Sequence, residues 1–190
     1  LVIDVHPVQQ AFLDSAALYR GFVGGRGSGK TWIGALDLLL RAMSGSAPRL
    51  YAVYAPTYPM LHDSSWRALF DAGRRLRCIK AINRSEMRLT LGNDSEVICR
   101  SVDDPERARG PNLSGAWLDE ASLMKSDAYS IVIASLREGG EQGWLSATFT
   151  PRGKAHWTYE VFGQGRQDTE LFRCRTIDNP FLPAGFADTV

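Results

Sequence analysis

The stretch Gly24-Gly25-Arg26-Gly27-Ser28-Gly29-Lys30-Thr31 fits the pattern G-x-x-x-x-G-K-[ST] at every fixed position, and no other part of the chain constrains the fold as strongly. An apolar run at 19–23 precedes it, and Trp32-Ile33-Gly34-Ala35-Leu36 follows with helical spacing, so the motif lies between a strand and a helix. Glycines let the backbone fold back until successive N–H groups point into one concavity, and the start of a helix adds its positive dipole end there. Such a nest holds phosphate. Lys30 is a cation able to reach the outer phosphates of a nucleotide, and the Thr31 hydroxyl is a ligand for Mg2+. A purely structural glycine turn is the bland alternative, and the strand and helix on either side argue against it.

A chain of 190 residues, 44% hydrophobic and 23% charged, is long enough for one well-buried core. Cys78, Cys99 and Cys174 form no C-x-x-C and leave one thiol over, so neither a disulfide framework nor a zinc site is expected, and the compartment reads as reducing. No run reaches the apolar length of a membrane span. A formal net charge of +1 makes no global case for nucleic acid, although between Arg67 and Arg88 basic residues outnumber acids seven to two. That basic stretch reads as a solvated helix face, a phosphate-facing surface, or a source of an arginine presented to a neighbouring subunit.

Along the chain, His6-Pro7-Val8-Gln9 opens a short amphipathic helix reaching residue 17 or 18, with Pro7 in its first turn. The Gln9 amide carries both a donor and an acceptor, as the N6 and N7 edge of adenine requires. A second buried strand is expected at 50–55, a helix at 60–76, and a hairpin from 87–91 and 96–101 around Gly92-Asn93-Asp94. Alternating strands and helices predict a parallel sheet covered on both faces. Gly115-Ala116-Trp117-Leu118 reads as a buried strand ending in Asp119-Glu120, at the sheet end where ligands of open α/β folds sit. Asp119 suits a Mg2+ ligand and Glu120 a carboxylate that orients and deprotonates the attacking water. The stretch Trp144 to Gly153 reads as a strand that ends in small hydroxyl residues, Ser146-Ala147-Thr148 among them, able to bond the catalytic Glu or the γ-phosphate. A helix at 154–162 carries aromatics read as packing, and a last strand is expected at 169–176. Asp178-Asn179-Pro180 then breaks regular structure.

Taken together, these motifs resemble the ATPase domain of the large terminase subunit of tailed double-stranded DNA phages. The resemblance rests on Pro7-Val8-Gln9, the P-loop with Arg26, Ala55-Pro56-Thr57-Tyr58, Arg109-Gly110, Asp119-Glu120-Ala121, Ser146-Ala147-Thr148 with Thr150-Pro151-Arg152-Gly153, and Asp178-Asn179-Pro180. It implies a three-layer α/β P-loop NTPase fold, with a mainly parallel sheet ordered 5-1-4-3-2, an additional strand between the two nucleotide motifs, and a β-hairpin. It implies ATP and Mg2+ as cofactors, with Gln9 and Gly24 to Thr31 on the nucleotide. Lys30 and Arg26 face the γ-phosphate, Thr31 and Asp119 hold the metal, Glu120 is catalytic, and Thr148 couples hydrolysis to movement. It further implies a homo-oligomeric ring, with double-stranded DNA, portal protein and small terminase subunit as partners, in the bacterial host cytoplasm and on the procapsid. An arginine acting in trans is sought among Arg84, Arg88 and Arg109. Residues 1–176 are expected to be the ATPase domain and 177–190 the start of a linker, with no nuclease among these residues.

Two other functions share parts of the pattern. The first motor domain of a superfamily 2 helicase has similar motifs in the same order but needs a second motor domain. A weakly hydrolysing nucleotide-binding assembly module has the same loop without efficient turnover. A small-molecule kinase fits less well, since an acid directly after Asp119 favours water as the nucleophile.

Overall fold

The structure is a computed structural model that describes residues 3–45, 48–104, 110–183 and 185–186. Its strands are β1 (Tyr19–Gly24), β2 (Leu50–Ala55), β3 (Ile79–Asn83), β4 (Arg88–Leu91), β5 (Glu96–Ser101), β6 (Gly115–Asp119), β7 (Trp144–Phe149) and β8 (Thr169–Cys174). The helices are α1 (Pro7–Asp14), α2 (Lys30–Ser44), α3 (Tyr58–Met60), α4 (Trp66–Leu76), α5 (Ser126–Ser135) and α6 (Trp157–Phe162), with a π-helical turn, Leu61–Ser65, between α3 and α4.

The strands form one sheet in the order β3-β4-β5-β2-β6-β7-β1-β8. Its pairs from β5 to β8 are all parallel, while β3–β4 and β4–β5 are antiparallel. Numbered among themselves in chain order, β8, β1, β7, β6 and β2 run 5-1-4-3-2, so β7 separates the P-loop strand from the acidic strand. The hairpin is part of this sheet. Strand β5 pairs with β2 from Leu50↔Glu96 to Ala55↔Ser101, and β3, which the sequence pattern did not suggest, forms the edge. Helix α5 was equally unforeseen, because its Ser-rich face lacks a clear apolar stripe.

Apolar side chains alternate along the buried strands, so both faces need a cover. Tyr51, Val53 and Trp117 pack with Leu38, Leu39, Leu69 and Ala72 of α2 and α4 on one face. Ala52, Tyr54, Leu118 and Ala147 pack with Ala128, Val132, Val161 and Phe162 of α5 and α6 on the other. Helix α1 closes the β8 end through Phe12 against Phe22 and Phe172. It stops at Asp14, short of the predicted end, where Ser15 turns to extended backbone. The three cysteines are buried free thiols. Among the described residues no helix is long and apolar enough to cross a membrane.

Helix α2 approaches the sheet closely at Gly34. A Cβ there would lie 2.3 Å from Trp117 Nε1 and 2.4 Å from Cε2, and the indole is fully buried. The ring cannot swing away without losing its hydrogen bond to Thr148 Oγ1 at 2.9 Å. Alanine gains about 1 kcal/mol of intrinsic helix propensity over glycine, but overpacking a fixed ring costs about 1–3 kcal/mol or more. Gly34→Ala is therefore expected to lower unfolding stability, measured by urea denaturation. An unchanged or raised midpoint would show that Trp117 has room to shift.

Candidate active site

The P-loop joins the end of β1 to the start of α2 on the carboxyl edge of the sheet. Gly29 caps α2 with a left-handed backbone, φ +80°, and no side chain bonds the first N–H groups of the helix. Those donors and the helix dipole converge on the concavity, as an anion requires. Gly29 is also fixed by contact, since a Cβ would meet Gln9 Nε2 at 2.6 Å. Ser28 Oγ and Lys30 Nζ both donate to the Gly25 carbonyl, at 2.8 and 3.2 Å, which holds the loop closed on itself. Lys30 is nearly buried, with its ammonium 3.7 Å from Glu120 Oε1. Arg26 is exposed at the tip of the loop.

Asp119 is 1% exposed and collects donors from four directions. Its Oδ1 accepts from Thr31 Oγ1 at 3.2 Å, Thr148 Oγ1 at 2.9 Å and the Glu120 N–H at 3.1 Å. Its Oδ2 accepts from Ser65 Oγ at 2.7 Å. Burial pushes the carboxyl up to about 6, against the pull of the Ser65 and Thr148 hydrogen bonds. Glu120 follows in a left-handed conformation, φ +50°, which is unfavourable for a side chain of this length and directs its carboxylate away from the strand axis toward Lys30.

The hydroxyl strand behaves differently from its sequence expectation. Thr148 lies opposite Asp119 in the β6–β7 register and bonds Asp119, where the sequence suggested Glu120 or phosphate. The reason is the parallel register, which sets Asp119 and Thr148 side by side while Glu120 has already left the strand. Ser146 faces the interior, donating to Asp37 Oδ2 at 2.6 Å and accepting from Arg20 Nη2 at 3.1 Å. Ala147 points to the opposite face and is core.

Gln9 is buried, and its Oε1 accepts from the His6 N–H at 3.2 Å while the His6 ring accepts from the Gln9 N–H. This capping box sets the Gln9 side chain against Gly29. Beside it opens a cleft of about 630 Å3 lined by Ile3, Asp4, Gln9, Gly29, Trp32, Arg75, Asn179 and Phe181. The Arg75 guanidinium lies over the Trp32 ring, 5.0 Å from its centroid. Two residues after β8, one expected in the last strand and one in the linker, also reach the loop. Thr176 Oγ1 donates to the Arg26 carbonyl at 2.9 Å and Asn179 Nδ2 to the Gly27 carbonyl at 2.6 Å.

The basic stretch divides once folded. Arg75 turns to the cleft, Lys80 pairs with Asp94, and Arg88 bonds Glu96 at 2.6 Å and lies 3.6 Å from Glu86, so its charge is already matched. Arg84 is exposed in the turn after β3, beside Trp66, Phe70 and Ile82. Arg109 lies outside the described residues.

Sequence reasoning missed His6, Ser65, Trp32, Arg75, Thr176 and Asn179. His6 had a readable signal, the H-x-x-Q capping box. Ser65 had one as well, as the polar member of the stripe Leu61, Ser65, Leu69, Ala72.

A sequence model of the family described as phage terminase large subunit matches residues 17–189. The chain belongs to this family. Among curated relatives, the PBSX phage terminase large subunit of Bacillus subtilis (strain 168) is 26% identical over 191 residues, covering 88% of this chain and 44% of the relative. The terminase large subunit of Thermus virus P23-45 is 26% identical over 181 residues, covering 84% of this chain and 36% of that protein. The chain thus spans less than half the length of these relatives. Among solved structures, a large terminase from a thermophilic bacteriophage superimposes with a TM-score of 0.85 at 18% identity, covering 96% of this chain and 48% of that one. The large terminase ATPase domain of Thermus phage P74-26 does so with a TM-score of 0.76 at 22% identity, covering 90% of this chain and 80% of that domain. At these identities the structural likeness shows the shared fold.

Proposed function

We propose that this domain hydrolyses ATP with Mg2+ and, as part of a terminase large subunit, drives double-stranded DNA into a phage procapsid. The observation that carries the reading is the convergence on one point of Lys30, Thr31, Asp119, Glu120 and Thr148 from two adjacent strands and the P-loop helix. Large terminases from a thermophilic bacteriophage have been solved with ADP and with ATP-γ-S, which supports a nucleotide as the ligand here.

The donor set fits Mg2+. Thr31 Oγ1 and Asp119 Oδ1 are hard oxygens 3.2 Å apart, and Mg2+ takes few protein oxygens, filling its octahedron with phosphate and water. Bound there, the metal would neutralise charge on the phosphates, and its field would favour the ionised form of Asp119. The chain's own residues supply the rest. The N–H groups of the loop and α2 hold the phosphates, and Lys30 exchanges its bond to the Gly25 carbonyl for the β- and γ-phosphates. Glu120, a quarter exposed beside Lys30, orients water for in-line attack and accepts its proton. Thr148 ties the metal-side carboxylate to β7, so a change at the phosphates is felt along that strand. The cleft between Gln9 and the Trp32–Arg75 pair seats the base, with the guanidinium and indole offering stacking surfaces.

Arg26, exposed at the loop tip, is the arginine that the P-loop itself offers to the γ-phosphate side. The proposal also includes a ring in which a neighbour supplies the second arginine. With Arg88 ion-paired, Arg84 and Arg109 are the candidates. Portal protein, small terminase subunit, DNA and the host cytoplasm belong to the same reading, as does a domain boundary near residue 176 with the following residues leaning on the P-loop.

Steady-state ATPase activity against protein concentration tests this directly. Turnover per subunit is expected to rise with concentration, by up to about 10³-fold where the trans arginine becomes saturating. Constant activity per subunit over the whole range rules out trans activation, and no ATP turnover at any concentration rules out the enzymatic reading.

A further inference from the structure

The sequence of α3, the π turn and α4 forms a stripe of Leu61, Ser65, Leu69 and Ala72, each no more than 1% exposed. Three are apolar, and Ser65 is the exception. A serine hydroxyl buried in a helix normally bonds the carbonyl one turn back. Here the Leu61 carbonyl, the one a back-bond would use, accepts the Trp66 N–H in the i→i+5 pattern of the π turn. The Ser65 hydroxyl instead reaches across to Asp119 Oδ2 at 2.7 Å, 54 residues further along the chain. Wide helical turns of this type are frequent at functional sites.

The partition of donors on Asp119 gives this contact its consequence. Oδ1 has three donors, and one of them, Thr31, is itself a candidate metal ligand. Oδ2 has Ser65 as its single hydrogen-bond donor among the described residues. Loss of that bond leaves the carboxylate anchored at one oxygen only, so its plane is less tightly fixed. We propose that Ser65 is a positioning residue for the metal: it fixes the plane of the Asp119 carboxylate and so orients the oxygen presented to the cation. The proposal rests on the nucleotide-and-metal reading of the site. It also makes the segment after β2 a participant in the active site, so that movement of α4 and movement of the metal carboxylate are linked through one hydroxyl.

The test compares wild type, Ser65→Ala and Ser64→Ala, the last being an exposed neighbour that touches nothing in the site. Mn2+ binding is followed by electron paramagnetic resonance in the presence of ADP, and ADP binding by calorimetry in EDTA. Outer hydrogen-bond partners of metal ligands typically change metal affinity by about 10- to 100-fold. Ser65→Ala is expected to weaken Mn2+ about tenfold while metal-free ADP affinity stays within about twofold and Ser64→Ala matches wild type. A purely structural role would instead weaken both ligands together or lower the melting temperature without a selective metal effect, and either result overturns the proposal. Mn2+ affinity unchanged in Ser65→Ala, with normal binding in wild type, overturns it while leaving the ATPase reading intact. Wild type that binds no Mn2+ with ADP overturns the site reading and this proposal with it.

Discussion

Replacement of Glu120 by glutamine is expected to lower ATP turnover by about 10²- to 10⁴-fold, the usual contribution of a positioned general base, while ADP binding survives. Glutamine keeps the size and the hydrogen-bonding edge of the side chain but cannot accept the proton of the attacking water. The residue is well placed for a selective effect. Its carboxylate lies 3.7 Å from the Lys30 ammonium, which faces the γ-phosphate on the proposed reading, and its backbone is already locked in the left-handed region by the Asp119 carboxylate accepting its N–H. Removing the charge also releases Lys30 from an ion pair. Nucleotide affinity should therefore hold or rise slightly, which separates a chemical defect from a folding defect. Phosphate release under saturating ATP, alongside ADP titration, reads both quantities. A variant that turns over ATP at the wild-type rate would remove Glu120 from the chemistry and leave the pair of acids as metal ligation alone.

The second large effect is on stability. Arg20 lies near the start of β1 and is fully buried, with its guanidinium forked onto Asp37 of α2 at 2.7 and 2.9 Å and bonded to Phe12 O and Ser146 Oγ. Burial lowers its pKa, and the Asp37 charge and hydrogen bond act against that shift. Arg20→Ala leaves Asp37, 1% exposed, without its main partner. Breaking one side of such a pair costs about 3–5 kcal/mol. Arg41, with Nε 3.1 Å from Asp37 Oδ1 and a quarter exposed, compensates in part and places the expectation toward the lower end. Replacing both partners with apolar residues, as in the double variant Arg20→Met and Asp37→Leu, should recover most of the loss, because no unpaired charge then remains. Urea denaturation of the single and double variants decides the matter. A single-variant loss below about 1 kcal/mol would mean that water or Arg41 already satisfies Asp37.

This ion pair also shows where linear reading stops. Strand β1 was expected to be an apolar run, a pattern that gives no reason for the buried Arg20 within it. Only the α2 helix crossing above it supplies Asp37, 17 residues on, and only β7 supplies Ser146. The same applies to Ser146 and Thr148, two residues apart on one face of one strand. From sequence they share a role, yet one belongs to a structural ion-pair network and the other to the metal carboxylate. Their difference depends on which neighbour the parallel register puts opposite each of them. The basic stretch is a further case: seven cations read as one feature, but a helix turn and two strand turns send Arg75, Lys80, Arg84 and Arg88 to different surroundings.

What the amino-acid order determined by itself was whatever depends on short-range chemistry. The P-loop needs its glycines, lysine and threonine at fixed offsets because one turn of backbone must wrap one phosphate group. Paired acids after an apolar strand, and alternating strand and helix periodicity, are similarly local, and the family and fold class followed from them. Tertiary structure alone decided the arrangement of groups distant in sequence. It brought Ser65 to Asp119, the Thr176 and Asn179 side chains to the P-loop carbonyls, Gln9 to Gly29, and Trp32 with Arg75 to the rim of the cleft. Each of these depends on the lateral order of strands and on helix packing, which arise from burying apolar faces over the whole sheet and leave no fixed spacing in the sequence to read.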